Sequence, residues 1–506
     1  VLGGPMPLVF SRYYGSMLAR DGFAAGHLGP NWSGNFDWSF SMGPAGATVV
    51  TDRGRRIQFQ QNPLGGMDLV SPTDQKYALQ NSGGMWRFTD PSRRRVYAFD
   101  GVTFMLSSIA DEHGNSLSLS YSGGMLSQVS DGLGRALTFG YGPGGLLTQV
   151  SDGTRSVTFG HAGGALASVT DAAGHVTTFS YALPEPFAGL LQSVTEPMGN
   201  TPASCVYDPL GRVASMTDAF AHASSCSYDT PSGNTWTDAL GHTWAYVHDA
   251  QNHLTVFVQP GPTQSSFSYD ALGRLASFTR PLGDVTTLTY DAASGLPASV
   301  TMGDGSVFVW SYSSHAAGGG AFFDLAGATY PDGASESFTR DASGNLTNRL
   351  DRGGFHWLGT YNARGQMLTA TNPADGVSTF VYDTQGRLAS ATDNAGHTTT
   401  FAFDAFDRLT QVTTNPGPVQ TFSYDALDHP TSFTNELGKA WTFAYDANGR
   451  GLSETDPLLA QTTRAYDNGD RPTLVTDPLG HASMFAYDAA GYLASFTDRT
   501  GNTTQY

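Results

Sequence analysis

The 506-residue chain is acidic, with a formal charge of −18, 61 glycines and only two lysines, Lys76 and Lys439. Nucleic-acid binding needs clustered Lys or Arg, which this composition does not offer, and no apolar run approaches the ~18 residues of a membrane span. Only six residues are Glu, and the scarcity of strong helix formers favours strands and turns.

The chain opens at Val1 without the basic and apolar regions of a signal peptide, so any targeting segment is expected upstream. Residues 1–98 are irregular. They hold Trp32, Trp38 and Trp86 and a basic cluster at Arg53, Arg55 and Arg56. This block suits a cap or plug, with Trp32 and Trp38 buried against whatever follows. Arg93, Arg94 and Arg95 form a second basic cluster, expected as a solvated hairpin edge paired with local Asp.

From residue 99 to 506 the sequence repeats. Tyr121, Tyr141, His161 and Tyr181 are spaced by 20, and Tyr207, Tyr228, His248, Tyr269 and Tyr290 by 20 or 21. After an insertion near 314–332, and an earlier one near 183–200, the register runs through Arg340-Asp341 and Tyr361-Asn362. It then continues without interruption through Tyr382, Phe403, Tyr424, Tyr445, Tyr466 and Tyr487, each followed by Asp or opening the same turn. A fixed period of 20 to 22 over about seventeen copies is the mark of stacked repeats.

One copy parses physically. Leu388–Thr392 reads as a strand, 393–397 as a turn, Thr398–Phe403 as a second strand and 404–408 as the next turn, so the unit is a β-hairpin. Asp opens the turns because its carboxylate can accept backbone N–H groups two or so residues on, and Gly follows three residues later where positive φ is cheapest. Phe-x-Tyr pairs such as Phe267/Tyr269, Phe422/Tyr424 and Phe485/Tyr487 fall on one strand face by the period of two and predict aromatic ladders. The alternative for these aromatics is a row of platforms giving weak carbohydrate contact.

Tyr269-Asp-Ala-Leu-Gly-Arg-Leu275 and Tyr382-Asp-Thr-Gln-Gly-Arg-Leu388, with the variant Tyr207-Asp-Pro-Leu-Gly-Arg-Val213, resemble the Rhs/YD-repeat family. Pro7-Leu-Val-Phe-Ser-Arg-Tyr-Tyr-Gly-Ser16 and Leu28-Gly-Pro-Asn-Trp32 resemble the segment that opens the repeats in bacterial Rhs proteins. The resemblance implies an all-β fold, a coiled antiparallel sheet of hairpins forming a hollow shell or superhelical ribbon. In related toxins such shells enclose a C-terminal toxin, and in teneurins a related barrel supports adhesion. It also implies a cleavage motif, Pro-x4-Asp-Pro-x-Gly-Leu. Pro472-Thr-Leu-Val-Thr-Asp477-Pro478-Leu-Gly480 approaches it, but His481 replaces the Leu and a further repeat follows, so it reads as a turn.

About seventeen hairpins give ~34 strands, a ribbon of roughly 160 Å, or one turn of a cylinder ~50 Å wide. One turn does not seal a cavity, and Tyr506 falls in mid-repeat, so the chain is expected to be part of something longer or to meet other chains at its edges.

Cys205 and Cys226 lie on equivalent strands of successive hairpins, ~9.6 Å apart, beyond the reach of a disulfide, so two free thiols are expected. His175, His242, His397 and His481 follow the turn Gly and read as turn residues. Asp404/Asp407 and Asp425/Asp428 have spacing that could ligate Ca²⁺, although hairpin turns produce the same spacing without metal. No catalytic residue, cofactor site or metal site is singled out. The expected function is a non-enzymatic shell that holds or delivers a polypeptide toxin from a secreted or cell-surface position. The alternative is an extracellular adhesive fibre built from copies of the chain.

Overall fold

In a computed structural model, the structure describes residues 5–22, 26–182, 189–230, 233–261, 263–317, 319–415 and 417–506. From Ala78 onward, 41 strands form one antiparallel sheet in which each strand pairs with its sequence neighbours. The last strand, Thr503–Gln505, pairs with Leu493–Thr497, and no register joins it to the first, Ala78–Ser82, among the described residues. The sheet therefore takes in strands from inside the expected N-terminal region, Ala78–Ser82, Met85–Asp90 and Arg95–Asp100. Ahead of it, a two-stranded pair (Arg12–Tyr14 with Trp32–Gly34) and a four-stranded sheet (Ser39–Gly43 to Met67–Ser71) make a separate block.

The repeat parse matches the strands at Leu388–Thr392 and Thr398–Phe403. The insertion near 314–332 does not interrupt the sheet, because it lengthens one hairpin into the strands Val307–Ala317 and Gly320–Thr329. Of the earlier insertion, residues 183–188 lie outside the described residues.

Each Tyr-Asp turn also carries a β-bulge. Val381 faces Ser390 but Tyr382 faces Leu388, leaving Ala389 unpaired, and the same shift recurs at Tyr269, Tyr424, Tyr466 and Tyr487. Strands of five and six residues joined by five-residue turns account for the odd period of 21. In the early copies a shorter turn at Gly123-Gly124 brings the period to 20 while the bulge remains. A bulge adds local twist and bend, and repeating it at one end of every hairpin coils the sheet.

On the other side of each such strand, backbone pairing stops short. Thr369 faces Thr379, but no register continues to Met367 and Tyr382. The tyrosine hydroxyl takes over there, donating to the carbonyl fifteen residues earlier: Tyr382 to Met367 at 2.9 Å, Tyr424 to Leu409 at 2.8 Å, Tyr269 to Leu254 at 2.8 Å. In the degenerate copy Arg340 replaces Tyr and its guanidinium donates to Leu325 O at 3.1 Å. The tyrosines thus do not stack on each other. Aromatic ladders form instead from phenylalanines of adjacent strands, as at Phe422–Phe433 and Phe485–Phe496, with centroids 5.3 and 5.2 Å apart.

Tyr424→Phe should remove about 1 kcal/mol, the ordinary net value of one such bond. In hydrogen-exchange mass spectrometry the loss should stay within the flanking hairpins, because repeat contacts reach only neighbours.

Candidate functional site: the seam between coils

In most copies the Tyr-Asp-x-x-Gly-Arg turn is closed from within. Asp404 Oδ1 accepts the N–H groups of Phe406 and Arg408 at 2.8 and 3.0 Å, and Oδ2 accepts Arg408 Nε at 2.7 Å. The same guanidinium lies 5.0 Å over Tyr424 of the next copy, and Arg212, Arg274 and Arg450 lie 4.0, 4.3 and 4.9 Å over Tyr228, Tyr290 and Tyr466. Where His replaces Arg it keeps the first role: His253 and His429 Nδ1 meet Asp249 and Asp425 Oδ2 at 3.0 and 2.9 Å, and in the turns at the other end of the hairpins His175, His242, His397 and His481 meet theirs at 2.9 to 3.2 Å. Asp477, in the stretch that approaches the cleavage motif, is such a turn carboxylate, accepting the N–H groups of Leu479 and His481 at 2.9 Å. Cys205 and Cys226 are free thiols.

The hairpins put these Tyr-Asp turns on one rim of the sheet and the Asp-x-x-Gly-His turns on the other, called the far rim below. Arg135, on the far rim before strand Ala136–Tyr141, bonds Asp407 Oδ2 at 2.5 Å, on the Tyr-Asp rim 25 strands further on. Arg155 meets Asp428 at 2.7 Å, and Asn200 meets Asp470 at 3.3 Å, at the same 25-strand offset. The sheet therefore closes on itself laterally as a spiral of roughly 1.6 turns, not the single turn expected from strand counting. At ~4.8 Å per strand the circumference is about 120 Å, narrower than expected. Each coil's far rim is the floor on which the next coil's Tyr-Asp rim stands.

The Gly of a Tyr-Asp turn, or the residue in its place, reflects what packs against it: the opposite rim, the N-terminal block or, at Gly344, the neighbouring long hairpin. Rings, a proline or an alkyl stem press on Gly295, Gly344, Gly365 and Gly386, where a Cβ would lie 3.0, 2.3, 2.4 and 2.8 Å from Lys76, His315, His113 and Pro5. Where Arg or Asn faces it the residue is Asp407, Asp428 or Asp470, held at φ of 64°, 71° and 63°. Asp tolerates this left-handed backbone better than most residues, and here it also supplies the seam acceptor. The Asp pairs considered for Ca²⁺ are thus engaged by guanidinium groups: Asp407 by Arg135 and Arg387, Asp428 by Arg155 and Arg408.

The N-terminal block lies across the first hairpins. Trp32 and Trp38 are buried, Trp32 Nε1 donating to Tyr181 Oη at 2.9 Å and Trp38 stacking on Tyr97 at 3.9 Å. Trp86 faces Phe40 at 5.5 Å, and Phe10 meets Phe139 and Phe159 edge-on. Burial pushes the Tyr181 hydroxyl up to about 12, so it remains a protonated donor. The block also touches the first coil's Tyr-Asp rim, through His27 to Gly145 O, Arg20 to Leu210 O and Thr73 to Leu272 O. A cleft of about 380 Å³ between the block and both coils is lined by Phe10, Arg12, Phe159, Leu427 and Asp428.

The basic clusters tie these parts together. Arg55 pairs with Asp74 at 2.8 Å, Arg53 lies 5.6 Å over Tyr13 and Arg56 donates to Asp21 O. The Arg93–Arg95 cluster is not a solvated edge: Arg93 pairs with Asp52 at 2.8 Å, and Arg94 bridges Glu112 and Asp324, joining the first coil to the long hairpin of the second.

Three family models match: Teneurin YD-shell over residues 204–405, RHS Repeat over 424–458, and a domain of unknown function, DUF6531, over 1–59. The chain is an Rhs/YD-repeat protein. Its fold is that of the toxin-complex shells: TcdB2-TccC3 superposes with a TM-score of 0.57 at 13% identity, covering 99% of this chain and 32% of that one. The Photorhabdus luminescens Tc holotoxin pore gives 0.54 at 13% identity, covering 93% and 28%. The double-stranded DNA deaminase toxin A of Burkholderia cenocepacia is 30% identical over 138 residues, 27% of this chain and 8% of that protein. The YD-repeat chain thus spans about a third or less of the proteins it matches.

At the seam, Arg135→Ala takes the guanidinium from the buried Asp131, 2% exposed, and leaves Asp407, 5% exposed, with Arg387 alone, and should cost about 2 kcal/mol. Arg155→Ala leaves Asp152, 9% exposed, to its backbone N–H donors and Asp428, 37% exposed, to Arg408, and should cost less, about 1 kcal/mol. Equilibrium urea unfolding of the two variants compares them. Hydrogen bonds from backbone N–H groups hold Asp249, Asp393 and Asp477 below the usual carboxylate range, and hydrogen bonds, led by the Thr500 hydroxyl, take Asp498 to about 2. A depressed carboxylate stabilises above its unfolded value and loses that contribution as pH falls through the folded one. Thermal midpoints should therefore fall between pH ~4 and ~2 as the turns protonate together.

Proposed function

We propose that this chain is a non-enzymatic scaffold, an arc of a secreted or cell-surface YD-repeat shell that encloses and delivers a polypeptide toxin. The observation that carries this reading is the seam: 25 strands per coil, sealed coil to coil by Arg135–Asp407 and Arg155–Asp428. Eight strands already give a barrel whose own side chains fill it, so a coil of this size leaves a lumen. The N-terminal block spans part of it and rests on one rim. Solved relatives named as toxin complexes support the shell, and a relative named as a toxin supports a polypeptide cargo. A seam formed within one chain favours the shell over a fibre joined end to end.

Digestion of the full-length gene product with a broad-specificity protease is the test. A non-repeat polypeptide that survives with the shell, and is lost after the seam is opened by Arg135→Ala together with Arg155→Ala, is the expected result. Full digestion of every non-repeat segment from the intact protein would overturn the reading.

A further inference from the structure

The cleft between the N-terminal block and both coils is a cavity that the shell reading does not use. It measures about 380 Å³ and is lined by Leu8, Phe10 and Arg12 of the block, Val150 and Phe159 of the first coil and Leu427 of the second. That volume falls in the range of small-ligand sites, whose walls are mostly apolar with a few placed polar groups. Leu8, Val150 and Phe159 are buried, so these walls are fixed by the core.

The charged groups around the cleft are engaged, with one exception. Asp152 and Asp428 bind Arg155, Asp428 also binds Arg408, and Asp171 binds His175. The Ser151 hydroxyl donates to Arg155 O at 2.8 Å. Arg12 is the exception. Its guanidinium stands 6.0 and 5.6 Å from the ring centroids of Trp32 and Phe179, and no carboxylate pairs with it among the described residues. Aromatic faces attract a cation but leave its charge uncompensated. By contrast, Arg135, Arg155, Arg387 and Arg408 of the seam each hold at least one carboxylate.

We infer that this cleft binds a medium-chain aliphatic carboxylic acid, with the carboxylate on Arg12 and the chain between Phe10, Phe159 and Leu427. Charge selects the head group. An ammonium would be repelled by the guanidinium, whereas a carboxylate matches its fork of N–H donors better than an alcohol does. The tail is aliphatic because a peptide backbone brings N–H and C=O groups that need partners when buried, and the carboxylates and Ser151 around the cleft are already engaged. The walls come from three parts of the molecule, so an occupant holds the block and both coils together. Its binding raises the unfolding midpoint by mass action.

The test titrates the full-length gene product with decanoate, decanol and decylammonium by calorimetry, below their micellar concentrations. Decanoate should bind at one molecule per chain and about tenfold more tightly than either analogue, the difference made by hydrogen bonds between charged groups. Arg12→Gln should bring decanoate down to the affinity of decanol, and Arg12→Lys should keep part of the difference. Leu427→Glu changes the opposite wall, at a turn position where Gln385 stands in another copy, and should abolish binding. A decanoate analogue with a diazirine at its far end should label peptides containing Phe10, Val150 or Leu427. Equal affinity for decanol, labels spread along the aromatic face of later copies, or no binding at all, as a cleft filled by another segment of the chain gives, would overturn the inference. Cargo protection is read separately, so its outcome bears on the shell and not on this site.

Discussion

The structure depends on what happens where each hairpin ladder gives out. A bulge beside every Tyr-Asp turn bends the sheet, and on the opposite side backbone pairing ends two residues early. A carbonyl left there without a partner would cost about as much as a lost hydrogen bond. In most copies the tyrosine hydroxyl fifteen residues later satisfies it and ties the hairpin to the one before. In the degenerate copy Arg340 keeps the bond, whereas Phe403 occupies the same position without a donor. The Arg or His of the turn bonds the turn Asp, and in many copies the Arg packs over that tyrosine.

Coiling then creates the second constraint, because a bent ribbon brings its two rims together. The rims meet at an offset of 23 to 25 strands, and nothing within a single repeat specifies that number. It emerges from the accumulated bend. Once it is set, individual turn residues are matched to what lies across the seam: Gly where His113 presses in, Asp where Arg135 or Arg155 reaches across.

The N-terminal block exploits the same face. Its aromatic residues pack on Phe139, Phe159 and Phe179, and Phe159 is fully buried where the matching Phe422 and Phe485 of later copies are only partly so. The block converts an open stretch of sheet into a buried core and holds one rim.

The sequence by itself determined the hairpin, its turns, the free thiols and the family, because the period, the Asp and Gly positions and the strand alternation are local properties of a 21-residue window. It also carried a trace of the bulge, since five-residue turns with an odd period require strands of unequal length. The hydroxyl bond to the previous hairpin, the Asp407 and Asp428 ion pairs and the coupling of Arg94 to Asp324 were decided only by the tertiary structure. Those contacts span 15 to 273 residues, and their partners are matched by the pitch of the spiral, a sum of small bends that no single window contains.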